Sequence, residues 1–324
     1  MFRRTFLGAG VTALAGASEG QVITVRGAMS PRKLGWTLAH EHLFSAFGSD
    51  PAEPPAYDEQ ALLDVVIPYT RKIRSLGCRS IVDCTAAWFG REPRLLRRIS
   101  EASGLHILTN TGYYGAANDR YVPETARQET VDQIAARWTA EFAGGIRDTG
   151  IRPGHIKIGV DPGVLSELDG RLVRAAARAH RRTGLVITSH TGGRAEAALG
   201  QIAILREEGV RPEAWIWAHA NQCSDLAALR EAAQAGAWLS LDGVAPESVE
   251  QHLALLRDPV ISARALLSHD GNSFRNGRPG KPYEALFTHL RPRLLREFGV
   301  AKLKRWTEHH AASAFTIRRR LAKA

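Results

Sequence analysis

Four histidines, a lysine and an aspartate stand where short apolar runs stop. His40 and His42 close LGWTLAHEH, Lys157 lies in HIKIGV, His190 ends LVITSH, His219 ends AWIWAH and Asp270 ends ALLSHD. Imidazole nitrogens and carboxylate oxygens are the donors that divalent ions take, and two ions held together can activate water and polarise an electrophilic oxygen. Lysine is the odd member of the set. With a pKa of about 10.4 it is a cation at neutral pH and has no lone pair to give. Two nearby divalent ions would disfavour that cation and favour the neutral amine. Alternate side chains of a strand share a face, so His40 and His42 can reach one ion while Glu41 points away.

These donors meet only if the runs that carry them are parallel strands ending at one mouth. Eight strand-like runs are present: LGWTLAH, RSIVDCT, LHILTNT, GHIKIGV, LVITSH, AWIWAH, AWLSLD and ALLSHD. They are rich in Val, Ile, Leu and Trp, as parallel strands covered on both faces should be. Between most of them lie helical patterns with apolar residues three or four apart, as in DEQALLDVVIPYTRKIRSLG and EPRLLRRISEASG. Pro93 suits a first helical turn, and Gly77, Gly104, Gly184 and Gly236 suit C-terminal caps. Eight strand-helix units predict an α/β fold, a single (β/α)8 TIM barrel with the metal centre at the C-terminal strand ends. The 324 residues fit one such domain. An open doubly wound sheet is the alternative, and no GxGxxG or P-loop follows the first strand to favour it.

In this order the six residues resemble the ligand set of the phosphotriesterase-like family of the amidohydrolase superfamily. GWTLAHEHL is similar to the family's first-strand signature, and the likeness extends through REPRLLRRISEASGLHILTNTGYYG. The resemblance implies two divalent ions held by His40, His42, Lys157, His190, His219 and Asp270. Zinc is the default, and manganese, cobalt or iron would suit similar donors. It also implies that Lys157 captures carbon dioxide as a carbamate that bridges the ions. The reaction implied is direct attack by a hydroxide that the ions generate, without a covalent enzyme intermediate, with Asp270 as general base or proton shuttle.

The likeness has departures. Asp242 of LSLDGV matches the seventh-strand aspartate, but Gly243 stands where some relatives continue a proton relay through histidine. Gln222 stands where those enzymes carry an acidic relay residue, and TEHHAASAF lacks the Asn-Pro common in relatives. Tyr114 of NTGYYG aligns with a tyrosine near the metals of phosphotriesterase-like lactonases, where organophosphate-specialised relatives place tryptophan. Its hydroxyl would orient a lactone oxygen or stabilise developing charge; packing is the other reading, and Tyr113 is read as structural. A lactone or related carboxylic ester is therefore the leading substrate class, with phosphotriester hydrolysis as the alternative. A receptor or scaffold that binds metal without turnover is a third reading, favoured by the missing relay and opposed by the intact Asp270. Metal-dependent turnover of any ester decides between them.

The remaining histidines are read as structural or exposed. His180, His252, His289, His309 and His310 fall in helical stretches, His269 faces away from Asp270, and His106 and His155 precede the strand ends. In the loop GNSFRNGRPGKPY, Arg275, Arg278 and Lys281 read as solvated cations, with recognition of a substrate carboxylate or phosphate as the alternative. The formal charge of +10 is spread along helices such as RLVRAAARAHRR, so no nucleic-acid partner is expected. Cys78, Cys84 and Cys223 form no CxxC pair and read as buried free thiols, a single disulfide being the alternative. Arg3-Arg4-Thr5-Phe6-Leu7 precedes the apolar run FLGAGVTALAGA and the small-residue site Ala15-Gly16-Ala17. Residues 1–17 thus read as a twin-arginine signal and 18–324 as the barrel, placing a mature chain from about Ser18 in the periplasm or outside the cell. The run is too short to leave a membrane span after processing. The expected partner is a small-molecule ester, lactone or phosphotriester, and a homodimer is left open.

Overall fold

The computed structural model describes residues 20–280 and 283–323. The export segment and Lys281 lie outside the described residues. Every strand-like run forms a strand: β1 (Thr37–Glu41), β2 (Ser80–Asp83), β3 (His106–Leu108, continued by Asn110–Thr111 past Thr109), β4 (His155–Gly159), β5 (Ile187–His190), β6 (Trp215–Ala218), β7 (Trp238–Leu241) and β8 (Ala265–Leu267). Each pairs in parallel with its successor in sequence. Backbone bonds also tie β1 to the chain just beyond β8: Asp270 N donates to His40 O (3.1 Å), and His42 N donates to Gly271 O (2.8 Å). The result is an α/β fold with a mostly parallel sheet, consistent with a TIM barrel.

Helices follow the strands: α1 (Glu59–Ser75), α2 (Pro93–Ser103), α3 (Val131–Gly144), α4 (Glu167–Thr183), α5 (Ala195–Glu207), α6 (Leu226–Ala235), α7 (Val249–Arg257) and α8 (Arg291–Lys304). Their ends are locally encoded. The Asp58 side chain accepts from Ala61 N at the start of α1, and Ser166 and Asp169 form a reciprocal capping box at the start of α4. Pro93 opens α2, and Gly104 closes it in the left-handed region. Gly77 sits one residue beyond the cap of α1, with φ +114°.

Strand alternation sorts the core into two layers. Ile81, Ile107, Trp215, Trp217, Leu239 and Leu267 pack with the helices, whereas their neighbours Val82, Leu108, Ile216, Trp238 and Leu266 form a separate inner cluster. Cys84 belongs to that inner cluster, and all three cysteines are buried and free. Val22 of the hairpin Val22–Thr24/Gly27–Met29 and Phe315 of the last helix join the same cluster. His310 bonds the carbonyl of Ala265, the first residue of β8, so these terminal pieces cover the N-terminal ends of the strands. The arginines of α4 serve the helix layer. Arg178 pairs with Asp132 and Glu208, and Arg182 with Asp132. Among the described residues no helix is long and apolar enough to cross a membrane.

Candidate metal centre

The C-terminal ends of the strands gather the six predicted side chains around one cavity of about 220 Å³; five of them line it, and His219 stands just behind. Asp270 Oδ1 lies 3.4 Å from His40 Nε2 and 3.3 Å from His42 Nε2, and its Oδ2 lies 3.9 Å from His219 Nε2. Lys157 Nζ is 3.4 Å from His40 Nε2, and His219 Nε2 is 2.9 Å from His190 Nδ1. Donor atoms of His40, His219 and Asp270 all fall within 4.8 Å of one another, a spacing one ion can bridge.

Three of the six, His42, His219 and Asp270, lie just past their strands rather than on them. His219 and Asp270 both adopt left-handed backbone, with φ of +65° and +54°. Such strain in non-glycine residues persists only where the surroundings over-determine it. At Asp270 the surroundings are Glu41. One oxygen of its carboxylate accepts from Ser268 Oγ, His269 N and His269 Nδ1, and the other from Gly271 N, at 2.7–2.9 Å. Glu41 does point away from the cavity, and its buried carboxylate clamps the segment that presents Asp270. His269 faces outward as expected, its Nε2 accepting from Leu286 N.

Hydrogen bonding also fixes which imidazole nitrogen faces the cavity. Asp242 Oδ2 is 3.0 Å from His40 Nδ1 and 3.3 Å from His219 Nδ1, and it accepts from His219 N at 2.8 Å. A carboxylate only accepts, so His40 Nδ1 carries hydrogen and its Nε2 lone pair is directed at the site, while the same oxygen anchors His219 through its backbone N–H. His42 is set the same way as His40. The Thr85 hydroxyl donates to Phe44 O, so at 2.9 Å it accepts from His42 Nδ1. The centre thus has a built set of lone-pair donors plus one carboxylate, which fits divalent ions. A direct contact such as that between His190 and His219 is one that an ion would replace.

Charge agrees with geometry. Burial lowers the pKa of His40 and His190 well below the usual value, with Lys157 and the neighbouring imidazoles adding to the effect. Burial alone would raise the Asp270 carboxyl, but His40, His42 and His219 outweigh it and hold the group below the usual carboxylate range. About 35 % of the Asp270 side chain is open, and the opening faces the cavity.

Tyr114 lines the cavity, its ring edge-on to His190 at 5.2 Å between centroids. Its hydroxyl makes no hydrogen bond among the described residues, and burial raises its pKa, keeping it a donor. Tyr113 instead packs on Trp138. Gly243 has φ +68° and is exposed, as is Gln222, so neither position supplies a relay group. The readings of the other histidines are borne out where they are buried. His155 contacts Thr188 Oγ1 and Asp83 O, and His180 contacts Leu185 O and Arg320 N. Sequence reasoning missed Ser45, Phe47, Phe89 and Asn272, which complete the cavity wall, and the orienting role of Thr85. All five lie in loops just beyond strand ends, which was the available signal.

The family model for the phosphotriesterase family matches residues 20–304. A phosphotriesterase homology protein of Mycobacterium tuberculosis is 32 % identical over 271 residues, covering 79 % of this chain and 82 % of the relative. An aryldialkylphosphatase of Saccharolobus solfataricus is 27 % identical, covering 74 % and 77 %. An N-acetyltaurine hydrolase of Homo sapiens is 26 % identical, covering 86 % and 92 %.

Proposed function

The chain belongs to the phosphotriesterase family, and from that premise we propose that this hydrolase cleaves a lactone or related carboxylic ester at a binuclear metal centre within a single (β/α)8 barrel. The observation that carries the ester reading is the uncommitted Tyr114 hydroxyl beside His190 in the cavity.

Two divalent ions, zinc by default, would be held by His40, His42, His190, His219, Asp270 and a Lys157 carboxylated by carbon dioxide. When bound, they supply an activated water and polarise the scissile carbonyl. The Asp270 carboxylate, ionised at neutral pH, takes the proton from the attacking water and returns it to the leaving oxygen. Asp242 and Thr85 hold the imidazoles in register throughout, and Phe47 and Phe89 wall the acyl group from bulk water. Tyr114 donates to the oxygen that gains charge. Removing one such donor costs roughly 100- to 1,000-fold in rate.

An activity screen of metal-loaded protein across lactones, esters, amides and phosphotriesters tests the reading. Lactones should be turned over faster than paraoxon-like phosphotriesters, and Tyr114→Phe should depress lactone kcat/KM while metal content stays intact. A clear preference for phosphotriesters, untouched by Tyr114→Phe, would overturn the ester assignment in favour of the activity for which the aryldialkylphosphatase relative is named. No turnover of any substrate class would favour the non-catalytic binder. Export belongs to the same proposal and rests on Arg3-Arg4 with Phe6-Leu7. Changing both arginines to lysine should retain precursor inside the cell, and native protein found unprocessed in the cytoplasm would reject it.

A further inference from the structure

One wall of the cavity carries polar groups that the hydrolytic reading leaves without a task. Arg275 lines it from the hairpin Phe274–Arg275/Arg278–Pro279. That hairpin is docked on the loop after β1: Ser45 N donates to Phe274 O (2.9 Å), and Asn276 N donates to Ser45 O (3.1 Å). The Arg275 side chain is itself held, with Nε donating to Phe47 O at 3.0 Å and the guanidinium 5.2 Å over the Phe47 ring. Among the described residues it has no carboxylate partner. By contrast, Arg174, Arg178 and Arg182 of α4 pair with Glu207 and Asp132 on neighbouring helices. Beside it, Asn272 Nδ2 donates to Ser45 Oγ at 2.5 Å, while its Oδ1 is a buried acceptor with no partner. An oriented guanidinium with free terminal N–H groups recognises planar or tetrahedral oxyanions. An unpartnered buried acceptor in the same wall asks for a donor.

We propose that Arg275 is a specificity-determining residue that selects substrates bearing a carboxylate or sulfonate at the end remote from the scissile bond, with Asn272 accepting from a donor on the same substrate. This rests on the proposed hydrolysis for the reaction, and it adds the charge of the substrate. The reacting carbonyl sits at the histidine–aspartate cluster, the middle of the molecule lies along Phe47 and Phe89, and the anionic end meets Arg275 at the rim.

The test uses metal-loaded full chain and the pair phenyl acetate and 4-sulfophenyl acetate, assayed on wild type, Arg275→Gln, Arg275→Lys and Arg275→Glu. The intrinsic reactivity difference between the two esters is common to all four proteins, so the change in their kcat/KM ratio isolates the side chain. The ratio should favour the sulfonate in the wild type and fall roughly 10- to 100-fold in Arg275→Gln, chiefly through KM. Lysine should restore part of it, and glutamate should push it further toward the neutral ester. An unchanged ratio in Arg275→Gln would overturn the proposal. If neither ester is hydrolysed, the ester reading fails separately. Calorimetric binding of acetanilide and 4-sulfoacetanilide to wild type and Arg275→Gln then decides the matter: an Arg275-dependent gain for the sulfonate sustains the proposal, and equal affinities in both proteins reject it.

Discussion

The two ends of the strand bundle both bury histidine, and they use it in opposite ways. At the N-terminal ends and in the surrounding layer, His155 contacts Thr188 Oγ1 and Asp83 O through its two nitrogens, and His180 contacts Leu185 O and Arg320 N. At the C-terminal ends, His40 and His42 give Nδ1 to Asp242 and Thr85 and turn Nε2 toward a cavity that also holds Asp270 and Lys157, while His219, anchored to Asp242 through its backbone N–H, stands just behind it. Burial does not separate the groups, since His40 and His155 are both about fully enclosed. A lone pair committed to the fold is structural; a lone pair aimed into a cavity by a partner on the other nitrogen is available for chemistry.

The largest effect should come from emptying the cavity end alone. Lys157→Ala is expected to lose most bound metal and turnover, with recovery on adding a short carboxylic acid that stands in for the carbamate. Metal analysis and kinetics check it, and two ions per chain with full activity in the variant would remove Lys157 from the centre.

The far-end histidines should reveal themselves by acid instability. Burial pushes His180 and His310 down to about 4 and His155 to about 3, from an unfolded value of 6.5. Because the folded values are depressed, the stability these groups contribute is present above pH 6.5 and is lost as pH falls through about 4. Each is worth on the order of 3 kcal/mol across that window. Denaturant unfolding of metal-free protein from pH 7 to pH 4 should show the loss, and replacing His180 with glutamine should flatten the slope. A pH-independent midpoint would contradict the assignment.

A smaller change should blur the distinction between the two ends. Asp242→Ala removes the acceptor that meets His40 Nδ1 and the His219 backbone N–H, and metal affinity should fall about 10- to 100-fold, as for other orienting partners of ligand histidines. Competition with a chelator measures it, and wild-type affinity would show that the His40 tautomer is fixed by something else. Outside both regions, Arg182→Gln breaks only the exposed pair with Asp132 and should shift stability by less than about 1 kcal/mol. A larger loss in a thermal melt would mean that the helix layer is held by its charges more than by its core.

Local pattern was enough to place all eight strands and the chemistry at their ends, because parallel strands under helices are apolar on both faces and helix caps are written in neighbouring residues. LGWTLAHEH, HIKIGV, LVITSH, AWIWAH and ALLSHD therefore announced which side chains would converge. What the sequence did not reveal was every contact that orients them. His40 meets Asp242 across 202 positions, Glu41 clamps the flank of Asp270 across 228, and Arg275 docks on Phe47 across 228. No local period records such pairings. They arise only when the chain closes on itself: Asp242 and Thr85, from beyond other strands, fix the imidazoles, and the first strand region beside the last fixes the left-handed turn at Asp270 and docks the Arg275 guanidinium at the rim.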